Sequence, residues 1–537
     1  MGNNMYKSSP QFLESPGGGF GVEIQGRTVH LVSAETNDLT GGLENTTGVG
    51  SETISPATAK SGVMRVITIG DSMTSANSNN NTITSLTRTS NVVTLVLTTH
   101  GRGTGEICRI YNCLDTSYNA NAVAVTRVDA NTLTYPSVGA DGSTTNISAT
   151  KTMQLQSPAT CNDNSYMFWL QSKTGGALRL VFNAGNNGSN SADMLARYGV
   201  DVVAQEYHDA VIILTGYNDW ANANFTADQV YANVVEMVKK SVGKLVVVVS
   251  SVPYTTNGTS GLANRKEAIR YNRMIRNFCN SMRNVRFADA AKYLIDAINA
   301  TKFSPLANML GADGIHLSPK AAERVAQSIY DVIQYDVPRV SRLVSCSGDN
   351  YGADSSNPNI LDAAPWTTTG GALAGGATGV AAAGMAVTNA GSGTTVASVV
   401  ARSDGIGYDQ RVVFTPVANN DSVTISGTGY ITGRTTDGQK VNYIGELALS
   451  GMSGASIKSI EIRIDFNGAS ASHVLAKPQA ANASSYPSTD MTISIASLID
   501  AVVPTGTTGV GWNVIIKAGA AGTALTAKLG RQSLEKI

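Results

Sequence analysis

The sequence predicts a three-layer α/β domain followed by an all-β sandwich, and three observations carry that reading. Short β-branched runs at Val66–Ile69, Val211–Leu214 and Leu245–Val249 stop abruptly at glycine, threonine or serine, as the buried strands of a parallel sheet do. Apolar residues at helical spacing, such as Val230, Val234 and Val238, fill the intervals between these runs. Beyond Pro338 that period disappears and strict alternation replaces it, with Ile460, Ile462, Ile464 and Phe466 set against Glu461, Arg463 and Asp465.

Composition narrows the function classes. A chain of 537 residues exceeds a single compact core, and roughly two to four domains are expected. Its 39 Lys and Arg balance 39 Asp and Glu, so there is no electrostatic case for a nucleic-acid partner or an anionic membrane. No apolar run is long enough to span a bilayer, and Met1-Gly2-Asn3-Asn4-Met5-Tyr6-Lys7 lacks the apolar core of a secretion signal. Five cysteines without metal-type spacing do not make a disulfide framework. Cys108 and Cys113 are close enough to pair but read better as small buried thiols.

Taken in order, residues 1–61 are rich in Gly, Ser, Thr and Asn, with β-like pieces at Phe20–Ile24 and Thr28–Val32, and read as an attachment arm. The α/β domain spans 62–338. It is interrupted at 82–155, where Val93, Leu95 and Leu97 alternate with Thr94 and Val96 as strands of a small inserted β module do. The α/β pattern then resumes with a helix through Phe168-Trp169-Leu170 and a strand at Leu178–Phe182. Thr226 and Gln229 have capping-box spacing. Ala268, Tyr271, Ile275, Phe278 and Met282 mark a further helix, and Val285-Arg286-Phe287 a fifth strand. Ser318 and Pro319 open a last helix whose inner face is Ala322, Val325, Ile329 and Ile333. Five strands with helices between them imply a flavodoxin-like sheet. Residues 345–537 form the β-sandwich, of jelly-roll type, with carbohydrate binding or oligomerisation as its expected roles.

Four stretches carry the chemistry. Gly70-Asp71-Ser72-Met73 ends the first strand, Asn183-Ala184-Gly185-Asn186-Asn187-Gly188 follows the second, Gly216-Tyr217-Asn218-Asp219 follows the third, and Asp313-Gly314-Ile315-His316 precedes the last helix. Ligands of open α/β sheets bind beyond the carboxyl ends of the strands. Serine becomes a nucleophile when a nearby base takes its proton, and an Asp three residues before a His can orient that base within one turn. Of five histidines, only His316 lies in an Asp-x-x-His context.

In this order the four stretches resemble the blocks of the SGNH (GDSL-type) hydrolase family, over residues 62–338. The resemblance implies Ser72 as nucleophile, His316 as base and Asp313 as its orienting carboxylate. It also implies that the backbone N–H groups of Ser72 and Gly188 and the amide of Asn218 hold the oxyanion. Tyr217 and Trp220 flank that amide and are candidate walls of an acyl or sugar pocket. Asp71 reads as a turn residue. Asp163, Asp193, Asp219 and Asp289 lack metal-ligand spacing, and the mechanism calls for no metal and no cofactor. One departure from the family is the insertion after the first block; another is Met73 in place of leucine. The segment Thr89–Tyr135 resembles, more loosely, a β module of bacteriophage tail and receptor-binding proteins.

Together these imply a serine esterase that removes short acyl groups, O-acetyl above all, from a bacterial surface polysaccharide. It would sit on a virion as a tail spike or fibre, beside other tail proteins, as a homotrimer. The alternatives are a bacterial carbohydrate esterase, secreted or cytoplasmic, a lipase or thioesterase of the same family, and a receptor-binding protein without activity.

Overall fold

The computed structural model describes three strands before residue 63 and residues 63–537, except 77–80, 99, 101, 103, 105–106, 146–152, 157–162, 206, 254–261, 297–302, 312, 339–341, 347, 363–368, 469–471, 475–485 and 498–499. The chain divides into two compact units, Met1–Gly62 and Val63–Ile537. In the first, Phe12–Glu14, Phe20–Ile24 and Arg27–Leu31 form an antiparallel three-stranded sheet.

The second unit is built on a parallel five-stranded sheet, whose strands are β1 (Met64–Gly70), β2 (Leu178–Gly185), β3 (Ala210–Leu214), β4 (Leu245–Val249) and β5 (Val285–Ala288). Their order is β2-β1-β3-β4-β5. The winding reverses between β1 and β3, which opens a crevice at the carboxyl ends of those two strands.

Successive side chains point to opposite faces of the sheet, and both faces are covered. Val66, Ile212 and Val247 pack on α2 (Tyr166–Lys173), α7 (Ala290–Leu294) and α8 (Pro319–Ile333). Ile67, Ile69, Val211, Ile213 and Val248 pack on α3 (Ser191–Tyr198), α5 (Ala227–Lys239) and α6 (Leu262–Asn280). The predicted inner faces of α5 and α8 are buried as read. Met282 is not part of α6; the helix has ended and Met282 is 44% exposed.

Between α1 (Ser72–Ser75) and α2, eight short strands from Asn81 to Gln156 form one sheet around a separate core that includes Leu86, Leu95, Leu133 and Tyr135. Cys108 and Cys113 are thiols buried in that core. From Ala372 to Lys536 the chain forms two sheets of seven strands each. They pack through apolar faces, and Tyr443 of one sheet stacks on Trp512 of the other at 5.2 Å between ring centroids. Trp512 is therefore a core residue.

This sandwich continues the core beside α2 and α8. Polar contacts fix the junction: the buried Asp163 carboxylate accepts hydrogen bonds from the Tyr486 hydroxyl and the Ile460 N–H, and Gln171 Nε2 donates to the Ser497 carbonyl at 2.9 Å. Burial pushes Asp163 up to about 7 despite those bonds.

Candidate active site

β1 stops at a glycine because nothing larger fits there. A Cβ at Gly70 would lie 2.0 Å from Thr74 Oγ1 and 2.7 Å from the Leu214 carbonyl oxygen. Asp71 then caps α1, its Oδ1 accepting from Met73 N–H at 2.9 Å. Ser72 becomes the first residue of a single helical turn at the crevice and remains partly exposed.

Asn183 of β2 holds that turn from beneath. Its Nδ2 donates to the Thr74 and Ser75 carbonyls at 3.1 and 3.2 Å, and its Oδ1 accepts from Gly185 N–H at 2.9 Å. In the sequence Asn183 shows only as the start of a motif. The available signal was an amide inside a buried strand, which must find hydrogen-bond partners.

The next two loops carry Gly188 and Asn218, the residues expected at the oxyanion. Gly188 has φ +78, with open space where a Cβ would stand, so its backbone is free to face a ligand. Asn218, near the start of α4 (Tyr217–Ala221), donates from Nδ2 to the Ser189 carbonyl at 3.0 Å and accepts from Asn222 Nδ2 at 2.7 Å. These bonds fix the amide's orientation and leave its second N–H for another acceptor. Asp219 ties the two loops together, accepting from Ser191 N–H at 2.9 Å, Ser191 Oγ at 2.5 Å and Thr215 Oγ1 at 2.8 Å.

Asp313 and His316 meet within one turn, as their spacing predicts: His316 Nδ1 lies 2.5 Å from Asp313 Oδ2. Asp313 Oδ1 accepts from the Ile315 and His316 N–H groups at 3.0 and 3.1 Å. Burial opposes ionisation of Asp313, but these bonds outweigh it and hold the carboxyl below its usual range. The two side chains keep 40% and 45% of their surface exposed, which leaves the site accessible to a bulky substrate. Asp71 feels the charge of His316, and Tyr217 those of Asp313 and Asp71, so the Asp-His loop and α4 lie within electrostatic reach of the turn that carries Ser72. Trp220 does not line this crevice. It is fully buried beneath α4, donating from Nε1 to Ser251 Oγ at 2.9 Å and packing on Tyr271.

The insertion is fastened to this site by an ion cluster that no sequence spacing announces. Asp201 pairs with Arg109 of the insertion at 2.9 Å and with Arg197 of α3. Arg109 also donates to the Gly185 carbonyl at 3.3 Å, and Arg197 to the Gly70 carbonyl at 2.9 Å. The ends of β1 and β2 are thus bound to the insertion through one carboxylate. Among the described residues no cluster of three or more His, Cys, Asp or Glu side chains is placed to hold a metal ion.

Asp71 is more than a turn residue. Its Oδ2 is buried without a hydrogen-bond partner, and burial, reinforced by the nearby Asp219, pushes its carboxyl up to about 7. A carboxyl raised in the folded state binds more protons than in the unfolded chain between pH 4 and 7, so its contribution falls as pH rises through that window. Asp71→Asn, which keeps the capping oxygen, is therefore expected to be more stable than wild type at pH 8, by on the order of 4 kcal/mol, and to lose that advantage near pH 4. Urea unfolding at both pH values checks this, and a pH-independent difference refutes it.

One family of known proteins matches part of the chain. Residues 143–324 match the model of the GDSL-like Lipase/Acylhydrolase family. The chain therefore carries a lipase/acylhydrolase domain of GDSL type. The matched segment holds the Gly188, Asn218 and Asp313-His316 blocks but not Ser72, which the insertion separates from them. Similar solved structures include a lipase/acylhydrolase from Enterococcus faecalis, at 17% identity over 52% of this chain and 100% of that one, with a TM-score of 0.29. A carbohydrate acetylesterase from Sinorhizobium meliloti matches at 14% identity over 50% of this chain and 97% of that one, with a TM-score of 0.29. No curated protein matches the chain.

Proposed function

We propose that this protein is a serine esterase that removes short acyl groups, O-acetyl foremost, from a carbohydrate polymer. The observation that supports this reading is the hydrogen-bonded Asp313–His316 pair, with Ser72 in the turn after β1 and the Asn218 amide fixed after β3. In this mechanism Ser72 Oγ attacks the ester carbonyl carbon as His316 takes its proton. The oxyanion is held by the Ser72 and Gly188 N–H groups and the Asn218 amide. Collapse expels the sugar hydroxyl, which receives the proton from His316. Water, deprotonated by the same imidazole, then releases the acid and restores Ser72.

The polysaccharide part of the proposal is supported by the exposure of the Asp-His pair and by the inserted β module and the C-terminal pair of seven-stranded sheets. On the same reading the flavodoxin-like core carries a jelly-roll-type sandwich, the N-terminal three-stranded unit serves attachment, and the chain acts from a phage tail as a trimeric spike or fibre. That last step rests on the resemblance of Thr89–Tyr135 to phage tail modules.

Hydrolysis of p-nitrophenyl esters of increasing acyl length tests the reaction class. Cleavage falling steeply beyond acetate is expected. A preference for long chains would transfer the protein to the lipase or thioesterase reading.

A further inference from the structure

A cavity that Ser72 does not line lies where the α/β core meets the sandwich. α2, the first half of α8 and the strand Met491–Ala496 enclose a cavity of about 290 Å³. Three cations line it, Lys173, Lys320 and Arg324, against one carboxylate, Glu323. That excess stands out in a chain whose charges balance at 39 each. Lys173 neutralises Glu323 at 2.5 Å, and Arg324 Nε lies 3.7 Å from it. Lys320 has no carboxylate partner among the described residues, so the cavity presents uncompensated positive charge.

The opposite wall has a different chemistry. Ser488 and Thr489 offer hydroxyl groups, and Met491 and Ile493, on one face of their strand, an apolar strip. A cationic wall facing hydroxyls and an apolar strip suits a ring that carries a carboxylate, hydroxyl groups and an apolar face. The volume suits one such ring rather than a polypeptide segment. Lys320 follows His316 by four residues, so their Cα atoms are at most about 14 Å apart, and a polymer held at one site can reach the other.

We propose that this cavity is a subsite for an acidic sugar residue, and that the ester substrate is therefore an acylated acidic polysaccharide. The second clause rests on the esterase reading above; the first does not.

The test is calorimetric titration of the full-length Ser72→Ala protein, which cannot turn over substrate by the proposed route. The probes are hyaluronan oligosaccharides, neutral chitin oligosaccharides of equal length, free glucuronate and inorganic sulfate. Acidic oligosaccharides are expected to bind at least tenfold more tightly than neutral ones, with the preference shrinking as salt is raised. Adding Lys320→Ala and Arg324→Ala should abolish the preference, and Lys320→Gln alone should reduce it. Equal binding of acidic and neutral chains, no binding of any probe, or a preference that survives the double substitution each overturns the proposal. Sulfate binding as tightly as the oligosaccharides overturns the sugar and leaves a plain anion site. Glucuronate matching the oligosaccharides overturns the polymer. Wild-type hydrolysis of p-nitrophenyl acetate is measured separately, so failure of the esterase reading is seen independently of failure of the cavity.

Discussion

Ser72→Ala and His316→Ala are each expected to lower kcat on p-nitrophenyl acetate by on the order of 10⁴-fold to 10⁶-fold, and the double substitution by no more than either alone. Nucleophile and base act as a unit, so removing one leaves the other nothing to do. What survives is the contribution of the oxyanion donors and of binding, on the order of 10³-fold over water in serine hydrolases. Asp313→Asn separates a further role. Asn retains an oxygen that can accept from the Ile315 and His316 N–H groups, so the loop keeps its shape while His316 Nδ1 loses its anionic partner. A fall of up to about 10⁴-fold follows if the carboxylate orients the ring and stabilises the imidazolium. Steady-state kinetics on the three variants decide this. Wild-type rates in Ser72→Ala would remove Ser72 from the mechanism.

Asp201→Ala is expected to cost about 3–5 kcal/mol of stability and to damage catalysis without touching a reacting group. The carboxylate is 1% exposed and pairs with two guanidinium groups, Arg109 at 3% and Arg197 at 16% exposure. Without it, two like charges remain buried and uncompensated, which is the costly way to break an internal ion pair. Burial and the charge of Arg109 already push the Arg197 guanidinium down to about 10. Arg109→Met should be milder, because Asp201 then keeps Arg197 and the repulsion between the two guanidiniums disappears. Urea unfolding ranks the two variants, and a larger loss in Arg109→Met would contradict this account. Arg197 also holds the Gly70 carbonyl, so kcat should fall in Asp201→Ala even at temperatures where the protein stays folded.

The strands of the parallel sheet were legible because each is a β-branched run buried on both faces, and composition alone marks such a run. The Asp313–His316 pair was legible because three residues separate the partners, and one turn can close that distance. Trp220 misled for a related reason: an aromatic residue just after a strand fits a pocket wall and a core equally well. Only the direction of α4 sends it inward to Ser251 and Tyr271. Asp71 read as a turn residue, because the absence of a partner for Oδ2 depends on everything packed around it.

By itself the sequence determined the order of the strands along the chain, the residue types at their carboxyl ends, the alternation of the C-terminal strands and the local bonds that close over a few residues. These follow from side-chain periodicity and from backbone reach, both properties of short segments. Only the tertiary structure decided that the insertion is bolted to the turn that carries Ser72, through Arg109 and Asp201 across 92 residues. It alone also decided that Asp163 and Tyr486 join core to sandwich across 323 residues. Contacts at such separations depend on how sheets and helices stack. A buried charge or hydroxyl must find a partner, but no local pattern says where along the chain that partner lies.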